Sequence, residues 1–168
     1  MGQLQPRGDR AIAVQNVGTG KSYAAGCIAN ALIDQMISVR YISTSDAVNR
    51  MQGNFGADRD AYLKQLMRPD LLILDDLGAE RNTSYGKERV FAVVNCRMLS
   101  RKPMIITTNI ALSAMQKATD LDDRRIYGRI LKVCVPILFN GENFRKGTAS
   151  ENLKKAARIL NNNENGGT

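Results

Sequence analysis

The stretch QNVGTGKS at residues 15–22 constrains the fold of this chain more than any other part of it. It follows the short apolar run at residues 11–14 and precedes a segment whose apolar residues recur at helical spacing. Glycines in such a loop let backbone N–H groups turn inward around a phosphate, and the dipole of the following helix favours negative charge there. Strand, loop and helix in this order predict a parallel α/β sheet with a phosphate site at its edge.

The loop fits the pattern G-x-x-x-x-G-K-[ST] except at its first position, where Gln15 replaces glycine. If the turn needs a positive φ there, Gln15 strains it by about 1–3 kcal/mol. The pattern predicts that Lys21 reaches the β- and γ-phosphates of ATP and that the Ser22 hydroxyl holds Mg²⁺. A glycine-rich turn with an exposed lysine is the alternative. The predicted ATP-binding residues are Asn16, Val17, Gly18, Thr19, Gly20, Lys21, Ser22 and Tyr23.

A second apolar run, residues 71–74, is too short for a helix and ends in two acids, Asp75 and Asp76. It predicts a strand that is buried on both faces and brings carboxylates to the edge that holds the phosphate loop. We expect Asp75 to bind Mg²⁺ through water, and Asp76 to orient or deprotonate the attacking water. Two ordinary solvated acids at the end of a strand are the alternative.

Composition narrows the class of protein. A chain of 168 residues with 43% hydrophobic and 24% charged residues suits one globular domain. No run is long enough to span a membrane, and residues 1–10 lack the apolar centre of a signal peptide, which predicts a cytoplasmic protein with no membrane partner. The three cysteines lie far apart, form no C-x-x-C pair and are predicted to be core residues.

Charge and the missing histidine bear on chemistry. Without histidine, any hydrolysis depends on carboxylates, cations and Mg²⁺. The formal net charge of +8 favours a polyanionic partner, most economically nucleic acid; a membrane surface and an acidic protein are the alternatives.

Strand and helix patterns alternate along the chain and predict a doubly wound, five-stranded parallel sheet. The last strand contains Pro136 and is predicted to lie at an edge, because proline cannot donate within a central ladder. The predicted strands are residues 10–14, 39–42, 70–75, 104–109 and 133–139, and the predicted helices are 21–37, 43–51, 58–67, 85–100, 112–119 and 122–132. We divide the chain into a leader at 1–9, a core at 10–147, a C-terminal helix at 148–160 and a disordered tail at 161–168.

The acid pair formally fits the D-x-x-G pattern of a GTPase, but no N-K-x-D follows to read guanine. Five motifs instead resemble the AAA+ ATPases, and more narrowly the DnaC-type replicative helicase loaders and the related IstB-type transposition ATPases. The resemblance covers about residues 8–147 and implies an AAA+ core with little or no helical lid. The motifs are NVGTGKS at 16–22, LDDLG at 74–78, TTN at 107–109, RIYGR at 125–129 and FNGENFR at 139–145.

The resemblance also implies roles for particular residues. Asn109 matches the sensor that positions the attacking water, and Arg145 matches the second sensor, which contacts the γ-phosphate of its own subunit. Arg129 matches the arginine finger that enters a neighbouring subunit's site, with Arg125 one turn earlier on the same helix, so a homo-oligomer is implied. A solvated basic helix face is the alternative for Arg125 and Arg129.

Loader ATPases of this kind also hold single-stranded DNA, and the matching positions here are Phe55, Thr83 and Tyr85. Phe55 is alternatively a core residue. The resemblance implies ATP and Mg²⁺ as ligands, and a replicative helicase or a transposase as partner. Three hypotheses stay open: a helicase-loader ATPase, a transposition helper of the same fold, and a DNA-binding module whose altered loop does not hydrolyse ATP.

Overall fold

The computed structural model describes residues 10–14, 17–52, 57–79 and 83–141. The predicted leader, the C-terminal helix and the tail lie outside these residues. The strands are β1 Arg10–Val14, β2 Val39–Ser43, β3 Leu71–Leu77, β4 Met104–Thr108 and β5 Val135–Leu138. The helices are α1 Lys21–Ile33, α2 Thr44–Gln52, α3 Ala57–Met67, α4 Ser84–Leu99, α5 Leu112–Gln116 and α6 Leu121–Val133.

The five strands form one parallel sheet in the order β2-β3-β4-β1-β5. This confirms the predicted α/β class and places the loop after β1 in the middle of the sheet, close to the end of β3. Pro136 lies opposite Ile12 in β5, which is an edge strand as expected. The C-terminal ends of β1, β3 and β4 therefore meet where a doubly wound sheet binds its ligand.

The two faces of the sheet are covered unequally. Leu71 and Ile73 of β3 pack with Ala25 and Ala29 of α1 in a small cluster. Leu72 and its alternate neighbours face the larger core, to which α2 to α6 contribute. This period-2 alternation is what a strand buried on both faces requires.

Helix α1 is shorter than predicted. It ends at Ile33 rather than near residue 37. The chain then turns through Met36, which has a left-handed φ of 61°. The Ile37 N–H closes this turn on the Leu32 carbonyl at 3.0 Å. Apolar spacing continues through the turn, so it could not mark the helix end.

Arg97 of α4 is a fully buried cation that the sequence did not predict. Its guanidinium donates to the carbonyls of Met67, Pro69, Asp70 and Pro103 at 2.6–3.3 Å. Burial lowers the pKa of Arg97 to about 10. Because these carbonyls belong to the segments before β3 and β4, Arg97 fixes where the two central strands begin.

The cysteines differ in their surroundings. Cys134 is buried, whereas Cys27 on α1 is exposed, so the expectation of a core position is wrong for Cys27. In the described part of the chain, no helix is both long and apolar enough to cross a membrane.

Candidate nucleotide site

Residues 17–20, the described part of the loop before α1, have the backbone of a phosphate cradle. Gly18 and Gly20 have φ values of 82° and 89°, a left-handed region that side chains disfavour. Gly20 is the N-cap residue of α1, and no side-chain hydrogen bond caps the helix. The first amides of a helix have no partner within it, so this end is suited to an anion.

Lys21 is nearly buried at the floor of this loop, with 6% of its surface exposed. The alternative of a turn with an exposed lysine is therefore wrong. A cavity of about 650 Å³ opens above it, and its walls include Asp75, Asp76, Thr107 and Asn109 from β3 and the end of β4. From the loop and α1 the walls include Val17, Gly18, Thr19, Gly20, Lys21, Ser22 and Tyr23. Asn16 and Gln15 lie outside the described residues.

Ser22 and Asp75 meet at one point of the cavity. The Ser22 Oγ donates to Asp75 Oδ1 at 2.9 Å, and Thr107 Oγ1 donates to the same carboxylate oxygen. A hydroxyl and a carboxylate are hard oxygen donors of the kind that Mg²⁺ accepts. The residues present thus fit the metal that the motif implies.

Asp76 occupies a bulge. Between the pairs Leu74 with Ile106 and Leu77 with Thr108, β3 has one residue more than β4. Asp76 has a left-handed φ of 57°, a conformation that aspartate tolerates better than most residues. A bulge of this kind re-aims side chains beside a site, and here both carboxylates reach the cavity wall.

Three buried threonines hold the bulge in place. Thr44 donates to the Asp75 carbonyl at 3.0 Å, and Thr108 donates to the Leu77 carbonyl at 2.7 Å. Thr107 accepts from the Asp76 N–H at 2.9 Å while it donates to the Asp75 carboxylate. The sequence placed Thr107 and Thr108 in the predicted strand 104–109, but it gave no sign that they or Thr44 hold the acids of β3.

Asn109 lies just beyond β4 and donates from Nδ2 to Asp76 Oδ1 at 3.0 Å. The two residues were predicted to act on the same water, and the fold brings their side chains into direct contact. Neither acid is an isolated solvated residue, because each accepts a hydrogen bond from a neighbouring strand or its end.

Tyr41 of β2 is a site neighbour that the sequence analysis missed. Its hydroxyl donates to the Ser22 carbonyl at 3.3 Å. Burial, followed by the hydrogen bond and charge of Asp75, raises the pKa of Tyr41 to about 12. The phenol therefore stays protonated beside the carboxylate. The sequence could not show that Tyr41 lies near the site, because this depends on the pairing of β2 with β3, which sets Ser43 opposite Asp75.

Comparison with known proteins decides the family. A family model described as "IstB-like ATP binding protein" matches residues 8–152. The chain belongs to this family. The replicative helicase loader DnaC of Escherichia coli strain K12 is 30% identical over 132 residues, which are 76% of this chain and 53% of DnaC. The chain thus spans about half the length of that curated relative.

Solved structures agree on the fold. A crystal structure of the DnaC helicase loader matches with a TM-score of 0.65 and 23% identity, over 80% of this chain and 81% of that one. The replication initiator DnaA bound to AMPPCP and single-stranded DNA matches with a TM-score of 0.65 and 21% identity. The match covers 88% of this chain and 45% of that one. The IstB-like chain has the P-loop AAA+ fold, and the resemblance seen in its motifs is confirmed.

The arginines implied by the resemblance lie on α6 of the IstB-like domain. The guanidiniums of Arg125 and Arg129 stack on the ring of Phe91, at 4.6 Å and 4.9 Å from its centroid. Neither is among the described residues that line the cavity of its own chain. The Arg125 Nη1 also lies 3.7 Å from the Asp122 Oδ1. Arg145 is outside the described residues, and its role stays a prediction.

The residues matched to DNA contacts lie around the start of α4. Thr83 Oγ1 accepts from the Gly86 N–H at 3.1 Å and so caps the helix. Tyr85 donates to the Met51 carbonyl at 3.2 Å, and Arg89 stacks on its ring at 4.4 Å. Phe55 lies outside the described residues. Arg89, which the sequence analysis did not single out, adds a cation to the aromatic surface of Tyr85.

Proposed function

We propose that this chain is the ATP-hydrolysing core of a helicase loader that engages single-stranded DNA. One observation carries the proposal: Lys21, Ser22, Asp75, Asp76 and Asn109 line one cavity at the C-terminal edge of the sheet. These are the cation, the metal-binding oxygens and the polar groups around water that phosphoryl transfer needs.

In this proposal the loop amides and Lys21 bind the phosphates of ATP. Ser22 and Asp75 would hold Mg²⁺, which neutralises charge on the β- and γ-phosphates when bound. Thr107 keeps the Asp75 carboxylate turned toward Ser22. Tyr41 donates to the Ser22 carbonyl at 3.3 Å and so supports the residue whose hydroxyl would hold the cation.

Asp76 and Asn109 act on the attacking water. Asp76 accepts a hydrogen bond from the water and aims its oxygen at the γ-phosphorus. The bond between the water oxygen and the γ-phosphorus forms while the bond from the γ-phosphorus to the β,γ-bridging oxygen breaks. Asp76 takes up the proton that the water loses and passes it to solvent, so the products are ADP and inorganic phosphate. The contact between Asn109 Nδ2 and Asp76 fixes the carboxylate, and the second Nδ2 hydrogen remains for a γ-phosphate oxygen.

Arg129, with Arg125 beside it, would complete the site of a neighbouring subunit. Their place on α6, apart from the described walls of their own cavity, supports this assignment. Such an arginine contributes about 10³–10⁵ in rate in well-studied NTPases. Hydrolysis would therefore depend on assembly.

The decisive experiment measures ATP hydrolysis by the purified chain across protein concentration, with and without single-stranded DNA. We expect turnover per chain to rise with concentration and to respond to DNA, and Lys21→Ala to abolish it. Lys64→Ala, on the exposed side of α3, is the matched control and should retain activity. Turnover that survives Lys21→Ala, or stays flat in both titrations, would contradict the proposal.

DNA binding is proposed to involve Tyr85, supported by Arg89 and by the net charge of +8. Thr83 and Phe55 are proposed with it from the family resemblance. Stacking of a base on an aromatic ring contributes about 1–3 kcal/mol. We expect Tyr85→Ala to weaken binding of single-stranded DNA by that amount, and Tyr85→Phe, which keeps the ring but loses the bond to Met51, to bind normally. Equal losses in the two variants would assign Tyr85 a structural role instead.

A second candidate is a helper ATPase for a transposase, which the resemblance to the IstB-type transposition ATPases implies. Pull-down with a replicative helicase or with a transposase separates the two, because the ATP site is common to both. A third candidate binds DNA without hydrolysing ATP. It predicts weak ATP affinity with Mg²⁺ that Gln15→Gly raises.

A further inference from the structure

Phe91 of α4 contacts both arginines of the RIYGR motif. Its half-buried ring lies 4.6 Å from the guanidinium carbon of Arg125 and 4.9 Å from that of Arg129. A guanidinium over an aromatic face is attracted by the ring quadrupole, and more strongly where water is excluded from the contact. One side chain thus restrains two long, flexible cations.

The helix that bears these arginines is anchored on the same side of α4. Lys87, one turn before Phe91, pairs with Asp120 and Asp123 at 2.9 Å each. Asp120 also caps α6 by accepting the Asp123 N–H at 3.0 Å. Lys87 therefore fixes the start of α6, and Phe91 meets the side chains that follow on it.

The charge at this surface is not balanced within the described residues. Arg125 has Asp122 at 3.7 Å, but no described carboxylate lies within ion-pair distance of Arg129. Two guanidiniums held at one ring repel each other in the absence of an anion. A dense anion approaching from outside would relieve that repulsion, which is what the terminal phosphate of a bound nucleotide supplies.

We propose that Phe91 is a positioning residue, which holds Arg125 and Arg129 ready to enter the nucleotide site of a second copy of this chain. The inference rests on the proposed function and deepens it. Phe91 touches neither substrate nor reacting atoms. It acts by limiting the conformations of two side chains that would otherwise be ordered only on arrival at the phosphate, at an entropic cost.

The test compares Phe91→Leu with Phe91→Tyr in steady-state ATP hydrolysis by the full chain. Leucine keeps apolar packing but removes the ring face, whereas tyrosine keeps the face. We expect Phe91→Leu to lower kcat about 5- to 30-fold with KM for ATP unchanged. Phe91→Tyr should retain the kcat of the wild-type chain. Val90→Ala, one residue away in the core, controls for lost stability and should leave kcat unchanged well below its melting temperature.

Mixing variants tests the direction of action. Lys21→Ala subunits bind ATP poorly but carry intact Phe91 and arginines, and Phe91→Leu subunits have the converse defect. We expect the mixture to hydrolyse more ATP than the two variants measured separately. Wild-type kcat for Phe91→Leu, or equal losses for its leucine and tyrosine variants, would overturn the Phe91 proposal alone. A wild-type chain without ATPase activity would overturn the proposed function and this inference with it.

Discussion

Replacing Thr107 with valine tests the network that aims the two acids. Valine has nearly the same shape as threonine, so the change replaces one hydroxyl with a methyl group and alters little else. That oxygen accepts from the Asp76 N–H at 2.9 Å and donates to the Asp75 carboxylate. Thr107 itself is buried, so water cannot replace it easily.

The magnitude follows from these two bonds. An N–H left without an acceptor costs about 1–3 kcal/mol when buried, so the partly buried Asp76 N–H loses an amount at the low end, and a hydrogen bond to a charged group contributes about 1.5–3 kcal/mol. Asp75 keeps its bond from Ser22, so the second loss is incomplete. We expect Thr107→Val to lower the free energy of unfolding by about 2–4 kcal/mol.

Urea denaturation measures this loss as a lower midpoint with an unchanged m-value. Thr107→Ser keeps the hydroxyl and should lose only about 1 kcal/mol for the missing methyl. Thr108→Val removes a similar pair of bonds, to Leu77 and Ile110, without touching a carboxylate. In Thr107→Val the Mg²⁺-dependent affinity for ATP should fall about tenfold, which corresponds to roughly 1.4 kcal/mol. In Thr108→Val this affinity should stay unchanged. Equal unfolding free energies for Thr107→Val and Thr107→Ser would refute the reasoning.

Three other outcomes follow from the described contacts. Arg97→Met should destabilise the fold by about 3–5 kcal/mol, measured by chemical denaturation, because it removes the buried donor of several backbone carbonyls; a loss below about 1 kcal/mol would contradict this. Burial raises the pKa of Cys134 from 9.0 to about 12, so the unfolded chain releases this proton first and the free energy of unfolding falls between those values as pH rises. Cys134→Ala should make that alkaline decline shallower in pH-dependent denaturation, and an unchanged slope would count against it. Lys87→Met should make α6 exchange amide hydrogens faster by removing its two ion pairs, which hydrogen exchange of α6 peptides would detect or refute.

The sequence by itself determined the class of fold and the residue types that gather at its phosphate loop. Glycines at 18 and 20, Lys21 and an apolar strand ending in two aspartates are local requirements of a phosphate loop and a buried parallel strand. The loop and the strand can be recognised from the sequence, because backbone conformation and period-2 burial depend on residues that are neighbours in the chain. The five strands, their parallel direction and the edge position of β5 followed from the same local rules, whereas the order of the strands in the sheet did not.

Only the tertiary structure decided what supports those residues. Thr44 and Thr107 hold the bulge at Asp76 from other strands and helices, Tyr41 reaches Ser22 from β2, and Phe91 meets the α6 arginines from α4. These partners are more than 18 residues apart in the chain. Their side chains are ordinary in type, and a hydrogen bond or stacked ring depends on register and packing angle. Register and packing angle are set only when the helices and strands assemble, because many side chains from distant parts of the chain are then buried together.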